Sequence, residues 1–272
     1  VLFCKKVGIP FEVYSFTSYT HDVEGSKYDD MDWDDLSKLQ GLEDWNSRFT
    51  LNNYLSSRMN AREMKAAMAH MMYLSKSYDW NSGFYTPRGH GLGSTPLNEA
   101  IIAATQIVPE FRANNRLQIV NTMFLTDGES SGGLYSYKTD KWLRDDKTKK
   151  TYECAGRTTG RNTTQACLEI LRDRTDANAI GIYLSNQKNI GRYGRYTDQQ
   201  VAQYKKDGFV STNKAGYSEY FVVKAKQKVE NDFMDNIDSD ASFTKIKNAF
   251  TKSSGDRVNS RVLLGRVIDL IA

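Results

Sequence analysis

Gln118-Ile119-Val120-Asn121-Thr122-Met123-Phe124-Leu125-Thr126-Asp127-Gly128 is a mostly apolar run closed by an acid and a glycine. Such a run suits a strand covered on both faces by helices. A carboxylate at the tip of a buried strand, followed by a glycine that lets the backbone turn, is placed to meet a ligand at the carboxyl edge of a sheet. Upstream, Gly93-Ser94-Thr95-Pro96-Leu97-Asn98-Glu99-Ala100 opens a helix. Pro96 presets the first helical turn, and Leu97, Ala100, Ile101, Ala104 and Ile107 recur at helical spacing. Thr95 falls close to the N-cap, where its hydroxyl can serve free backbone amides or a metal ion. The Thr95 hydroxyl and the Asp127 carboxylate are hard oxygen donors, and together they predict a divalent-cation site.

Outward from these stretches, helical spacing and apolar runs alternate. Val1 to Pro10 reads as the end of an amphipathic helix closing on Gly8, and Phe11 to Thr17 alternates as a strand. Phe49 to Ser57 is expected as an edge strand. Ala61 to Lys76 is expected as a helix with Met64, Ala67, Met68, Met71, Met72 and Leu74 inward. The polar, Gly-rich connection from Tyr78 to Gly93 is long for a loop and leads directly into Thr95, so it is expected to frame the metal site. Thr163 to Arg174 returns to helical spacing, Ala177 to Leu184 is the next buried strand, and Thr197 to Lys206 a short helix. A hairpin pairs Phe209-Val210 with Tyr220 to Val223 across Asn213 to Gly216. Phe243 to Phe250 and Arg257 to Ile271 read as helices, the second with an apolar face of Val258, Val262, Leu263, Val267, Leu270 and Ile271 for the sheet. This alternation predicts an α/β fold, a doubly wound, mostly parallel sheet with helices on both faces. Residues 1–272 form one domain on this reading, with insertions at about 18–48 and 128–160, the latter holding a small hairpin around Tyr135 to Trp142, and a C-terminal hairpin-plus-helix extension at about 207–272.

The Thr95 and Asp127 motifs resemble the von Willebrand factor A (VWA) family. Its metal-ion-dependent adhesion site (MIDAS) combines a Thr from a Gly-Gly-Thr-Pro-Leu-like loop with an Asp from a Thr-Asp-Gly strand end. The family's third element, an Asp-x-Ser-x-Ser loop after the first strand, has no match here. The resemblance places it upstream of Val1, which implies an N-terminally truncated chain whose sheet lacks its first strand. Pro10 to Thr17, Phe49 to Ser57, and Ala61 to Tyr73 with Met71-Met72 are most similar to the A domains of cobaltochelatase-type large subunits, over roughly Val1 to Leu184. The resemblance implies binding in place of catalysis. Mg2+ or Mn2+ would be held by Thr95, Asp127 and the upstream loop, weakly in this chain alone, with one position left for a carboxylate from a partner protein. It implies a ring-forming AAA+ ATPase as that partner, with this chain an adaptor. The alternative is a non-catalytic subunit of a cobalt or magnesium chelatase. Such pairs occur in bacteria and tailed bacteriophages, and the Asn-, Tyr- and Lys-rich, proline-poor composition suits that origin.

Composition narrows the remaining classes. A chain of 272 residues, 39% apolar and 12% aromatic, can bury a substantial core. It shows no apolar run of membrane-spanning length and no signal-peptide pattern. Cys4, Cys154 and Cys167 are odd in number and lack a Cys-x-x-Cys spacing, which points to reduced thiols and a cytoplasmic setting. A net charge of +4 with scattered basic residues does not describe a dedicated nucleic-acid binder, although Arg192 to Arg195 interleaves arginines with Tyr193. Asp29 to Asp35 reads as a solvated acidic loop, lacking the glycine and glutamate of a calcium loop.

Three motifs compete with the metal reading. Gly128-Glu129-Ser130-Ser131-Gly132 is a Gly-x-Ser-x-Gly match after a buried strand, which would make Ser130 a hydrolase nucleophile. That fold requires a helix after the serine and a later histidine. Gly132-Gly133 breaks a helix, and His21, His70 and His90 all precede Ser130. Gly89-His90-Gly91-Leu92-Gly93 lacks the Lys-Ser/Thr of a P-loop. His90 reads as a loop histidine, since no second His or Cys lies at metal spacing from it.

Overall fold

The computed structural model of the chain describes residues 1, 4–5, 8–17, 49–79, 81–87, 89–93, 95–128, 130, 142–154, 161–186, 190 and 196–225, with backbone alone at 161–162. The insertion expected at 18–48, its acidic stretch at 29–35, Arg192 to Arg195 and the terminal helices expected at 243–250 and 257–271 lie outside these residues. The described chain divides into two compact units, Val1–Thr122 with Gly128–Ala179, and Met123–Asp127 with Ile180–Ala272.

The first unit opens with the helix end expected before Gly8. Cys4 and Lys5 are helical, Gly8 takes φ 77°, and Ile9 N–H donates to Cys4 O at 2.9 Å. This is the six-to-one bond of a Schellman C-cap, which needs a left-handed residue at the glycine position. Strands β1 (Glu12–Thr17) and β2 (Thr50–Ser56) then pair antiparallel, with a register shift between Val13 and Tyr14.

Helix α1 (Ala61–Ser77) starts where a capping box dictates. Asn60 Oδ1 accepts from the amides of Arg62 and Glu63 at 2.9 and 3.0 Å, while Asn60 N–H donates to Glu63 Oε2 at 2.8 Å. Three otherwise orphaned donors are thus satisfied. Met64, Met72 and Leu74 of the expected stripe are buried, and Ala67, Met68 and Met71 are half-buried.

Helix α2 (Leu97–Asn115) is buried over most of its first half, at Leu97, Asn98, Glu99, Ala100, Ile101 and Ile102. It packs against α3 (Arg161–Thr175), whose Ala166, Cys167, Leu168, Ile170 and Leu171 are fully buried. Thr164 Oγ1 donates to Asn98 Oδ1 at 2.7 Å across that contact. The hairpin expected around Tyr135 to Trp142 lies outside the described residues except for Trp142. From there, β4 (Trp142–Arg144) pairs antiparallel with β5 (Thr151–Glu153).

The second unit carries a four-stranded sheet of order β3-β6-β8-β7, formed by β3 (Asn121–Thr126), β6 (Asn178–Ser185), β7 (Phe209–Thr212) and β8 (Glu219–Lys224). The first two residues of β3 and of β6 belong to the first unit. There Thr122 Oγ1 donates to Asn178 O at 2.8 Å and Asn178 N–H to Val120 O at 3.2 Å. Strands β6 and β8 run parallel, and β7 joins β8 as the antiparallel hairpin expected from the sequence.

One cluster in this unit gathers Ile180, Ile182, Phe209 and Phe221, and another Ile190, Tyr204, Val210, Tyr220 and Val222. Alternation along β8 sends Phe221 to one and Tyr220 and Val222 to the other. Helix α4 (Asp198–Asp207) has a second capping box, between Thr197 and Gln200, and ends on Gly208 at φ 73°. It drops Tyr204, fully buried, into the second cluster. The fold is therefore α/β, with a mostly parallel central sheet and four helices among the described residues. No described helix is long and apolar enough to cross a membrane.

Candidate metal centre

Thr95 stands on the residue before the N-cap of α2, which Pro96 occupies one position earlier in the helix than its sequence suggests. Leu97 N–H donates to Thr95 O at 2.8 Å and Ala100 N–H to Pro96 O at 3.1 Å, which fixes the entry of the chain into the helix. The Thr95 hydroxyl faces Gly128. A Cβ built on that glycine would lie 3.1 Å from Thr95 Oγ1 and 3.9 Å from Thr95 Cβ. The chain bends at Asp127 and Gly128, as expected, without Gly128 taking a left-handed φ. Its missing side chain makes room for Thr95.

Asp127 is exposed, directly after the carboxyl end of β3, as the sequence led us to expect, but the strand itself is not covered on both faces: Phe124 is buried while Met123 and Leu125 on its other face are exposed. Asp127 belongs to the second unit and is peptide-bonded to Gly128 of the first. Ser130, the nucleophile of the hydrolase motif, instead has its Oγ 3.3 Å from the backbone N–H of Asn98, from which it accepts a hydrogen bond. A hydroxyl 32 residues away thereby caps one of the first amides of α2. That contact could not be read from the motif.

The loop between α1 and Thr95 is lashed to β1, β2 and the end of α1. Thr17 Oγ1 donates to Gly91 O at 2.9 Å, Asn52 Nδ2 to Gly89 O at 3.0 Å, and Tyr78 Oη to His90 O at 2.7 Å. Burial, reinforced by Tyr54, pushes the Tyr78 phenol above its ordinary value and keeps it a donor. The loop turns Phe84, Tyr85 and Leu92 outward. At its centre Tyr54 Oη lies 2.7 Å from His90 Nδ1, and the ring of His70, from α1, lies edge-on to His90 with centroids 5.1 Å apart. Twenty residues separate the two histidines, so sequence spacing gave no sign of the pair.

At the middle of α2, a buried ion pair ties that helix to α3 and to the turn between β4 and β5. Arg174 of α3 donates to both carboxylate oxygens of Asp145, through Nε at 3.0 Å and through Nη2, and its Nη1 donates to Thr105 Oγ1 of α2 at 3.2 Å. Thr148 Oγ1 and the Lys147 amide complete the Asp145 shell at 2.7 and 3.0 Å. Burial raises the Asp145 pKa, but the hydrogen bonds from Arg174, Thr148 and Lys147 outweigh it, and the carboxyl ends well below the usual range. Cys4, Cys154 and Cys167 are free thiols; burial lifts Cys154 to about 11 and Cys167 well above its ordinary value. Neither is a poised nucleophile.

Among the described residues, no group of three or more His, Cys, Asp or Glu side chains is gathered to hold a metal. Thr95, of the first unit, carries a hydroxyl and Asp127, of the second, a carboxylate; each is the kind of oxygen donor that a hard ion such as Mg2+ takes. Comparison with protein-family models, curated proteins and solved structures finds no match, so function has to be read from the chain's own residues.

Proposed function

We propose that this chain is a VWA-type docking domain that holds Mg2+ or Mn2+ through Thr95 and Asp127 and captures a carboxylate of a partner protein, with an AAA+ ATPase as that partner. The observation that carries the reading is the approach of the Thr95 hydroxyl to Gly128, the residue joined to Asp127. A glycine kept open for a hydroxyl, next to an exposed carboxylate at a strand end, is what a shared oxygen-ligand site requires. The pairing of β1 with β2 and the α/β alternation from α2 to β6 also suit this class. In this scheme a bound ion would supply Lewis acidity toward an incoming carboxylate. Thr95 and Asp127 would hold it, and the anchored loop from 78 to 93 would border the Thr95 side of the site.

Mn2+ binding, followed by the loss of the free-ion electron paramagnetic resonance signal, tests the assignment. Asp127→Ala is expected to abolish the bound fraction, and binding unchanged in that variant refutes the ligand set. Co-purification of the wild-type chain with an AAA+ ATPase, lost on addition of a chelator, is expected for the partner.

A further inference from the structure

We propose that Tyr54, His70 and His90 form a second cation site, one for a borderline transition ion of the Zn2+ kind, independent of Thr95 and Asp127. The three rings come from β2, α1 and the anchored loop, and their centroids are 5.1 Å apart for His70 and His90, 6.1 Å for Tyr54 and His70, and 5.6 Å for Tyr54 and His90. With a metal–nitrogen bond of about 2.0–2.1 Å, an ion sits about 3.2 Å from an imidazole centroid, and two imidazoles at a tetrahedral angle have centroids about 5.2 Å apart. The observed His70–His90 separation matches this pair to within about 0.1 Å, and the Tyr54 hydroxyl already stands beside His90 Nδ1.

The ion would take the place of the proton now shared by Tyr54 Oη and His90 Nδ1, which lie 2.7 Å apart. Neighbouring ligand atoms on a tetrahedral ion are about 3.3 Å apart, so the pair has to open by about 0.6 Å. The phenolic proton leaves to solvent, the oxygen binds as phenolate, and no electron changes hands. Two of the three donors ride on a strand and a helix that pack together, and the third is held through its own backbone by Tyr78. Such support keeps a site near its working geometry. His70 is exposed, which gives the ion a way in and leaves a fourth position for water. Imidazole nitrogen selects Zn2+, Co2+, Ni2+ and Cu2+ over Mg2+.

The test uses the metals alone. Zn2+ calorimetry is expected to show one equivalent bound, tighter as pH rises because protons are released. Cu2+ is expected to give a visible phenolate-to-copper charge-transfer band in the wild-type chain, absent in Tyr54→Phe. His70→Ala alters an exposed helix position, so it leaves the fold intact by far-UV circular dichroism, and it is expected to weaken Zn2+ by more than about 100-fold. Asp127→Ala is expected to leave Zn2+ binding unchanged while removing Mn2+, which separates the two sites. A wild-type Cu2+ spectrum without the band, or Zn2+ affinity within about threefold of wild type in His70→Ala, overturns the proposal.

Discussion

Replacing Gly128 by alanine separates the metal reading from a purely structural one. The new methyl would lie 3.1 Å from Thr95 Oγ1, about 0.4 Å inside the roughly 3.5 Å at which such contacts are most favourable. Thr95 is half-buried at a helix entrance, so the hydroxyl yields more readily than the backbone. Overpacking of one methyl costs about 1 kcal/mol at its mildest, and Gly→Ala at an ordinary φ returns about 0.4–1 kcal/mol through the unfolded chain. The two nearly cancel, and the melting temperature is expected to hold within about 3 °C. Metal ligands, by contrast, tolerate about 0.2 Å of displacement, half of what the methyl imposes. Mn2+ affinity, read by electron paramagnetic resonance titration, is therefore expected to fall about tenfold or more at unchanged stability. Adding Thr95→Ser, which keeps the hydroxyl and removes its neighbouring methyl, is expected to restore part of the loss. Mn2+ affinity unaffected by Gly128→Ala would show that the Thr95 hydroxyl is no ligand, whatever else it packs against.

Asp145→Ala strands the Arg174 guanidinium, whose side chain is 5% exposed against 0% for Asp145, and is expected to cost about 3–5 kcal/mol in urea denaturation. The double change Asp145→Leu with Arg174→Met is expected to cost less than either partner removed alone. Because the folded carboxyl titrates below its unfolded value, its stabilisation is complete above the ordinary carboxylate range near pH 4. It fades as the pH falls toward the folded pKa, an acid slope that Asp145→Asn should flatten in denaturation curves. Gly181→Ala would set a Cβ 2.3 Å from Tyr220 Cδ2 and 2.9 Å from Tyr217 Cε1, and is expected to lower stability by about 3 kcal/mol, with shifted tyrosine ring resonances in the NMR spectrum.

What the sequence made legible is local. Helix α1 begins at Ala61 as expected and runs one residue past Lys76, because the Asn60–Glu63 box and the methionine spacing are both written within a few residues. The 209–223 hairpin was legible for the same reason: apolar alternation brackets a turn that needs Gly216, at φ 89°. Contacts between segments far apart in the chain were not. Nothing near Arg174 announces Asp145, 29 residues away, and the Gly-x-Ser-x-Gly match suggested chemistry where Ser130 caps a distant helix. Gly128 was read as the glycine at which the chain bends after β3, and it bends there, but its close approach to Thr95 Oγ1 left no mark in the sequence. The Tyr54, His70 and His90 cluster depends on how loop, helix and strand fold together, which no spacing rule contains.

The anchoring of the loop between α1 and Thr95 bears on how such a surface can evolve. Three of its tethers, from Thr17, Asn52 and Tyr78, end on main-chain oxygens that any residue would present at those positions. The grip is shared: Tyr73 of α1 donates its hydroxyl to Tyr85 O at 2.9 Å and meets the Phe84 ring edge-on, while Ser82 and Thr86 of the loop donate back to Lys76 O and Ser77 O. Selection can thus rewrite side chains whose only anchoring is through the main chain, Tyr85 among them, without loosening the path, whereas Gly83 and Gly89, held at φ 70° and 76°, are positions where substitution would strain the backbone.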